Sequence, residues 1–456
     1  MKKDLHSNPA FFGTDSIPKI LLKIAPPVML ALLIQSLYNI VDSFFVGKFS
    51  EQGLTALSIV YPLQLIITAL AVGTGVGVNT LMAKYYALKN DEKANYTAGC
   101  GFIISLVLWV LFAVATVFLL KPYLRTSASD PKALEYAYTY GMIVCVGSIG
   151  LFTEGIFSKV HQAQGNMVLP TVAQICGAVF NCIVDPILIF GVGPIPKMGV
   201  AGAAFATVGG QILAAIITGA RGLKKPPKPS KFPEYTAKIF KLGYPSIIMQ
   251  SMYTVYIVAL NMILVGFCDE AVTVLGLYYK LQTFFFIPLI GLSTCIVPVL
   301  SYNYTNHSFD RTREIMKWSF AVTIAFMVVG ILCFELIPVQ LLSIFSKSEK
   351  VFEIGKTALR IIGISFFPAT FSLMMPIFFQ AIGRGAPSVV LTLLRQIICL
   401  VPIFYAFSFF GLDYTWIAFP LSETITTIIG FILYYRQIDV WKKDYGYTPK
   451  KLKFRA

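Results

Sequence analysis

Apolar runs recur along the whole chain and constrain its fold more than any other feature. A hydrocarbon core ~30 Å thick is crossed by about 20 helical residues, and a spanning segment must satisfy its own backbone hydrogen bonds. Reading the apolar windows between polar breaks gives twelve candidate segments. They cover residues 16–46, 54–83, 95–120, 133–157, 168–191, 199–220, 235–266, 271–302, 316–338, 356–382, 388–410 and 415–435. We therefore predict an all-α integral membrane protein with twelve transmembrane helices.

The composition excludes the ordinary classes of soluble protein. Only 13% of the 456 residues are charged, about half the share found in soluble domains, and the mean hydropathy is +0.73. Eight cysteines occur without a CxxC spacing and the three histidines are scattered, so neither a zinc site nor a redox pair is predicted. The sequence contains no Walker loop and no catalytic constellation, which argues against direct ATP drive and against an enzyme. No cofactor is expected.

Lys and Arg are concentrated on one side of the predicted membrane. Residues 1–15 are polar and lack the apolar core of a cleavable signal, so we expect the first span to be retained. With the N-terminus inside, 26 of the 37 basic residues fall in inner segments and 8 in outer segments. The positive-inside rule then predicts a multi-pass protein of the cell inner (cytoplasmic) membrane with both termini in the cytoplasm. This topology explains the net charge of +15, and no nucleic-acid partner is indicated.

The two halves of the chain resemble each other at one nearly constant interval. The Gln-Ala-x-Gly sequence of residues 162–165 recurs at 380–383, and Pro27 recurs as Pro245, each 218 positions later. Two parallel repeats of six spans are one plan of secondary transporters, in which a cleft between two lobes opens alternately to each side. The predicted divisions are a cytoplasmic N-terminus (1–15), an amino lobe (16–220), a cytoplasmic linker (221–234), a carboxy lobe (235–435) and a basic cytoplasmic tail (436–456).

Besides Glu135 at the start of the fourth span, five acidic residues fall within predicted spans, where each ionisable group costs at least about 2.5–3.5 kcal/mol at mid-membrane. They are Asp42, Glu154, Asp185, Glu335 and Glu423. At the repeat interval, the first three correspond to Leu260, Ser372 and Ile403, none of which is acidic. Because the second lobe keeps the pattern without these acids, the architecture does not require them, and a functional role is favoured.

The surroundings of two of these acids indicate a cation site. Gln35, Tyr38 and Asp42 lie on one helix face at i, i+3 and i+7, and Asn181 and Asp185 share a face at i, i+4. If the two faces meet, their oxygen atoms suit a small hard cation such as Na⁺. Two nearby carboxylates also repel each other, which favours binding of a proton. The structural alternative is a satisfied polar cluster between helices or, for Asp42, a position near the outer interface.

The motifs around these acids are similar to those of the multidrug and toxic compound extrusion (MATE) family, within it the DinF/MepA-like branch. Residues 38–47 (YNIVDSFFVG), 181–191 (NCIVDPILIFG) and 199–207 (GVAGAAFAT) carry the resemblance, together with the two Gln-Ala-x-Gly sequences. It covers roughly residues 15–440, and the segment around Asp185 is its most specific part. The resemblance implies twelve helices in two pseudo-symmetric lobes and export of organic cations or other amphipathic drugs, driven by inward H⁺ or Na⁺.

The resemblance also implies roles for particular residues. It places a proton or Na⁺ site in the amino lobe and a bend of the first helix at a proline. The implied site comprises Asp42, Asn181, Asp185 and Thr207, with Gln35 and Tyr38 beside it, and the implied hinge is Pro26 or Pro27. Residues 244–253 of span seven lack the acid that one branch of the family has there, and span ten offers only Arg360. Coupling is therefore expected in the first lobe, with no structural metal.

Three further charged residues within spans have two interpretations each. Glu154 either contacts a cationic substrate or caps a helix end near Lys159. Lys280 and Arg395 either serve the second lobe's function or are explained by snorkelling and by a partner acid such as Glu423. Aromatic residues make up 14% of the chain, and those that line a cleft would suit flat organic cations.

The predicted function is therefore a multidrug efflux antiporter with alternating access. Its expected partners are amphipathic cationic small molecules and the lipid bilayer, and a monomer is expected. The first alternative is a flippase for a lipid-linked saccharide or another amphipathic lipid of the same superfamily, whose pyrophosphate would require Lys or Arg on the first lobe's cleft helices. The second alternative is a non-transporting partner subunit or receptor.

Overall fold

A computed structural model describes residues 9–125, 131–345 and 348–449, and all regular secondary structure in these ranges is helical. Residues 1–8 of the predicted N-terminus, residues 450–456 of the predicted basic tail and the outer-loop Lys347 lie outside the described residues. The first half contains α1 (Phe11–Thr14), α2 (Ile17–Phe49), α3 (Glu51–Ala87), α4 (Asp91–Arg125), α5 (Pro131–Val146), α6 (Ile149–Ala163), α7 (Val168–Phe190) and α8 (Val200–Gly222).

The second half begins with a 3₁₀ turn, Pro229–Lys231, and is also helical throughout its described residues. It contains α9 (Phe232–Val265), α10 (Asp269–Phe285), α11 (Ile287–Thr305), α12 (Phe309–Leu336), α13 (Pro338–Ser343), α14 (Glu349–Ile364), α15 (Phe366–Ala381), α16 (Gly385–Leu393), a π-helix (Leu394–Leu400), α17 (Val401–Ser408), α18 (Leu412–Thr415) and α19 (Ala418–Tyr445).

Ten stretches of the described chain are long and apolar enough to cross a membrane as they stand. Two further spans result if each bent pair is one span: α5 with α6, at 40°, and α14 with α15, at 53°. At each bend a serine hydroxyl donates to the carbonyl three residues earlier, Ser148 to Cys145 at 2.7 Å and Ser365 to Ile362 at 2.6 Å. Such local bonds compete with the helical ladder and favour a bend. The prediction of an all-α membrane protein with twelve spans is confirmed.

The internal repeat is visible in where helices start and how they end. Gly165 and Gly383 follow α6 and α15 with φ angles of 80° and 79°, a conformation in which glycine has no Cβ penalty. Three helix pairs also begin 218 residues apart, at Glu51 and Asp269, at Asp91 and Phe309, and at Pro131 and Glu349. The duplicated sequence pattern therefore produces duplicated local structure.

The chain forms two compact units, and their boundaries do not coincide with the two halves of the sequence. The amino unit contains Ile24–Gln250, and the carboxy unit contains Phe12–Lys23 together with the chain from Ser251 onwards. The first residues of α2 thus belong to the carboxy unit. There the Arg311 guanidinium donates to the backbone carbonyls of Phe12 at 3.0 Å and Asp15 at 2.8 Å. These bonds attach the start of the described chain to the carboxy unit.

Candidate cation site in the amino unit

A close contact between α7 and α8 builds one wall of the site. An added Cβ on Gly177 would lie 2.6 Å from the Gly210 carbonyl oxygen, and a Cβ on Gly210 would lie 2.6 Å from the Gly177 carbonyl oxygen. Small residues allow helix backbones to approach this closely in a membrane. The approach sets Asn181, one turn beyond Gly177, against Thr207 of α8.

Two buried carboxyl groups meet at the centre of the site. Asp42 of α2 is 9% exposed, Asp185 of α7 is fully buried, and the two carboxyl groups are within hydrogen-bonding reach of each other. A hydrogen bond between two carboxyl groups requires a proton on one of them. Each residue also keeps one buried oxygen, Oδ1, without a hydrogen-bond partner in the described part of the chain. The pair therefore offers both a place for a proton and free oxygen ligands for a cation.

Asn181 links the acidic pair to α8. The side-chain amide of Asn181 can take two orientations. In the orientation that gives both its nitrogen and its oxygen a partner, Nδ2 donates to Asp185 Oδ2 at 3.3 Å and Oδ1 accepts from the Thr207 backbone N–H at 3.1 Å. In the opposite orientation, Nδ2 donates to the Thr207 hydroxyl at 3.3 Å. Either orientation connects Asn181 to Thr207, so three of the four residues implied by the family resemblance contact one another, and Asp42 joins them through Asp185.

Tyr140 of α5 belongs to the same cluster, although the sequence interpretation did not include it. Its side chain is 2% exposed, Gln64 Nε2 donates to its hydroxyl at 3.4 Å, and the hydroxyl is also within hydrogen-bonding reach of Thr207. Tyr140 also interacts electrostatically with Asp42. The sequence feature that could have indicated this part of the cluster is Gln64, because it is a polar residue within span two that recurs in the repeat as Gln282.

The remaining residues of the predicted α2 face lie beside this cluster. Tyr38 is close enough to both carboxyl groups to interact electrostatically with them. Gln35 and Tyr38 line a cavity of about 90 Å³ in the amino unit, but among the described residues no hydrogen bond joins Gln35 to an acid. Pro26 and Pro27, the predicted hinge, lie inside α2, which is continuous from Ile17 to Phe49.

Glu154 also lines this cavity, together with Asn181 and Thr207 of the cation site. It is 9% exposed, and its Oε1 accepts from the Ser158 hydroxyl at 2.5 Å and from Gln174 Nε2 at 3.3 Å. The Lys159 ammonium donates instead to Gln162 Oε1 at 2.9 Å. No ion pair to Glu154 forms within the described ranges. Glu154 is thus a buried carboxyl group that pairs with no cation among the described residues, and its predicted contact with a substrate stays a prediction.

In the carboxy unit, Arg395 and Lys280, the two basic residues predicted within its spans, contact other residues of the unit. Arg395 Nη1 lies 2.7 Å from Glu423 Oε1, and both side chains are largely buried. The Ser372 hydroxyl donates to the other oxygen of Glu423. The Lys280 ammonium lies 5.7 Å from the centre of the Phe345 ring. The predicted partner acid for Arg395 is therefore confirmed, and this pair needs no external ligand.

Comparison with known proteins identifies the family. The MatE family model matches residues 27–187 and 245–406, which together make up most of the chain. Among curated relatives, the multidrug export protein MepA of Staphylococcus saprophyticus is 22% identical over 438 residues, covering 93% of this chain and 95% of the relative. A protein of Shewanella oneidensis named FAD transporter is 22% identical over 428 residues, covering 92% and 94%.

Solved structures agree with this fold at similar sequence distance. An outward-facing multidrug resistance MATE family transporter of the MOP superfamily has a TM-score of 0.89 at 22% identity, covering 95% of this chain and 98% of that one. A MOP superfamily transporter from Pyrococcus furiosus has a TM-score of 0.88 at 22% identity, with the same coverage. Together with the family model, which spans both halves of the repeat, they establish that this chain is a member of the MatE family, a family of membrane transporters and not of enzymes.

Proposed function

We propose that this protein is a secondary active antiporter that exports amphipathic organic cations in exchange for inward-moving H⁺ or Na⁺. The observation that carries the proposal is the contact between Asp42 and Asp185, two buried carboxyl groups that each keep an oxygen without a hydrogen-bond partner in the described residues. The name of the Staphylococcus saprophyticus relative, multidrug export protein, supports the substrate class.

The acidic pair explains coupling through charge. Two ionised carboxylates in a low-dielectric interior repel each other, so the empty site favours uptake of one positive charge. A proton would be shared between the carboxyl groups. Among the described residues no cluster of three or more His, Cys, Asp or Glu side chains is placed to hold a metal ion, so Na⁺ would also use oxygens of Asn181 and Thr207. Coupling then follows from linkage, because each cation changes the affinity for the other by the same factor.

The flippase alternative and a flavin-nucleotide cargo both require recognition of an anion. FAD and lipid-linked saccharides carry phosphate groups, for which Arg and Lys are the usual partners. The described wall of the amino-unit cavity includes Glu154 and no Lys or Arg. This charge favours an organic cation as cargo over either anion.

The test is ethidium efflux from liposomes that contain the purified full-length protein, with pH and Na⁺ gradients imposed separately. We expect one gradient to drive efflux and both Asp42→Asn and Asp185→Asn to abolish it. Asp439→Asn is the matched control, because its side chain is 68% exposed and, in the described part of the chain, forms its ion pair with Lys442 at 2.8 Å. Efflux that continues in both site variants would refute the assignment. If neither gradient moves ethidium or other amphipathic cations, the flippase becomes the function to test.

The same proposal includes a monomer in the cell inner membrane with both termini in the cytoplasm. The distribution of Lys and Arg between alternate segments supports the orientation. Protease accessibility of tags at the two ends, in right-side-out and inverted vesicles, tests it. Both tags should be cleaved only in inverted vesicles, and cleavage of either tag in right-side-out vesicles would contradict the orientation.

A further inference from the structure

The last helix, α19, carries an exposed stripe that changes from apolar to basic towards its carboxyl-terminal end. Ile428, Ile432 and Tyr435 follow one another at helical spacing and are between 48% and 62% exposed, as side chains that face lipid are. Arg436 comes directly after Tyr435, and Lys443 lies two turns further along the same face. An aromatic residue followed by basic residues is typical of the place where a helix leaves the hydrocarbon core and enters the head-group layer.

The positive charges of this stripe are not neutralised within the described part of the chain. Arg436 and Lys443 are exposed, and neither forms an ion pair with another described residue. The two acids nearby have other partners: Asp439 is paired with a lysine of α19 at 2.8 Å, and Asp444 interacts electrostatically with Tyr304 of α11. The two basic side chains are therefore available to an anionic ligand.

The chain beyond α19 is held close to the membrane. Gly446 ends the helix with a φ angle of 61°, which favours glycine, and the Tyr447 backbone N–H then donates to the Trp441 carbonyl at 3.3 Å. Arg313 Nη1 donates to the Tyr447 hydroxyl at 3.1 Å, and this hydroxyl donates to Asp310. Arg313 comes three residues, about 4.5 Å of helix, before the predicted start of the ninth span. Because the head-group layer is about 5–7 Å thick on each side, Tyr447 is fixed at its depth.

The sequence that follows is rich in basic residues. Residues 450–456 lie outside the described residues and have the sequence KKLKFRA, with four basic residues, two large apolar residues and no acid. Such a composition is typical of segments that bind an anionic lipid surface, where Lys and Arg attract phosphate and apolar side chains enter the acyl boundary. Since Lys450 comes only three residues after Tyr447, this segment begins within reach of the head groups.

We propose that Arg436, Lys443 and residues 450–456 form a binding surface, the tail surface, for the head groups of anionic phospholipids. The Arg436 guanidinium and the Lys443 ammonium would donate to the phosphate. A lipid is favoured over a soluble anion because the two basic residues continue the lipid-facing stripe, so the acyl chains of a bound lipid would lie beside Ile432 and Tyr435. The tail surface is separate from the cation site of the amino unit and does not depend on the proposed function.

The test is native mass spectrometry of the purified full-length protein in detergent, titrated with phosphatidylglycerol or with phosphatidylcholine of the same acyl chains. Wild type should reach half occupancy at an at least tenfold lower concentration of phosphatidylglycerol, on the order expected for two or more basic residues at a lipid phosphate. The combination of Arg436→Gln and Lys443→Gln should weaken phosphatidylglycerol binding by about tenfold, and these exposed side chains can be replaced without loss of packing. A second variant carries Lys450→Gln, Lys451→Gln, Lys453→Gln and Arg455→Gln, and it should also bind phosphatidylglycerol more weakly than wild type.

The matched control removes four positive charges from the linker and leaves the tail surface intact. It carries Lys224→Gln, Lys225→Gln, Lys228→Gln and Lys231→Gln, and it should keep the wild-type preference for phosphatidylglycerol. Equal binding of the two lipids by wild type, or an equal loss of preference in the linker control and the tail variants, would overturn the proposal. Glycerol 1-phosphate carries the phosphate without acyl chains, and full displacement of phosphatidylglycerol by an equal concentration of it would overturn the assignment to lipid. Each of these results leaves the antiporter proposal unchanged, because the measurement involves no transport.

Discussion

Gly177→Ala is a substitution whose effect on the cation site can be worked out from the structure. The alanine Cβ would lie 2.6 Å from the Gly210 carbonyl oxygen, whereas ordinary contact begins at about 3.4 Å. The obstacle is backbone, which cannot rotate away as a side chain end can. Helices α7 and α8 must therefore separate by about 0.8 Å at this point, at a cost of about 1–3 kcal/mol in overpacking.

The separation breaks the connection between Asn181 and Thr207. Their contact is 3.1 Å or 3.3 Å in the two amide orientations, and 0.8 Å more exceeds the hydrogen-bond limit of 3.5 Å in both. Asp185 then loses the partner that is fixed to α8. We expect gradient-driven efflux to fall by roughly tenfold, which corresponds to about 1.4 kcal/mol for one lost hydrogen bond.

The assay is ethidium efflux from proteoliposomes at matched protein content, with a thermal melt of each purified variant. Gly155→Ala in α6 is the control, because its Cβ would meet Ala71 at an ordinary 3.5 Å, and it should transport at the wild-type rate. A Gly177→Ala protein that transports as well as Gly155→Ala would refute the link between this helix contact and the cation site.

Two further substitutions test the remaining parts of the account. Tyr140→Phe removes the hydroxyl that connects α5 to the site, so efflux should fall roughly two- to tenfold without a change in melting temperature. Unchanged efflux would show that this hydroxyl does not contribute to transport. Arg395→Met leaves Glu423 buried without its cation, so the free energy of unfolding should fall by about 3–5 kcal/mol in denaturant melts. Adding Glu423→Leu should recover most of that loss, and a double variant no more stable than the single one would contradict the ion-pair explanation.

The fold could be predicted largely from the sequence because a membrane permits few kinds of spanning structure. Apolar runs of spanning length must be helices, and the repeat interval ties the two halves together. The breaks within spans were not predicted. The Ser148 hydroxyl bonds to the Cys145 carbonyl at the bend between α5 and α6, and span eight is interrupted at Phe286, between α10 and α11. Hydropathy records how apolar a segment is and does not indicate where its helix is interrupted.

The candidate site could be predicted only in part. Helical spacing placed Tyr38 with Asp42 and Asn181 with Asp185, and the structure brings these two pairs together. Tyr140 was missed because its partners come from other helices, and no spacing within α5 relates them. The cavity on Glu154 was also beyond the sequence, since it depends on which small residues of packed helices leave space.

The most direct test of the central claim measures the release of the coupling cation on substrate binding. Purified protein in weakly buffered detergent solution is mixed with saturating ethidium, and released H⁺ is followed with a pH indicator, or released Na⁺ with protein preloaded with ²²Na⁺. The account predicts release of about one cation per wild-type molecule and none from a variant that carries both Asp42→Asn and Asp185→Asn. Equal release from wild type and this variant would contradict it.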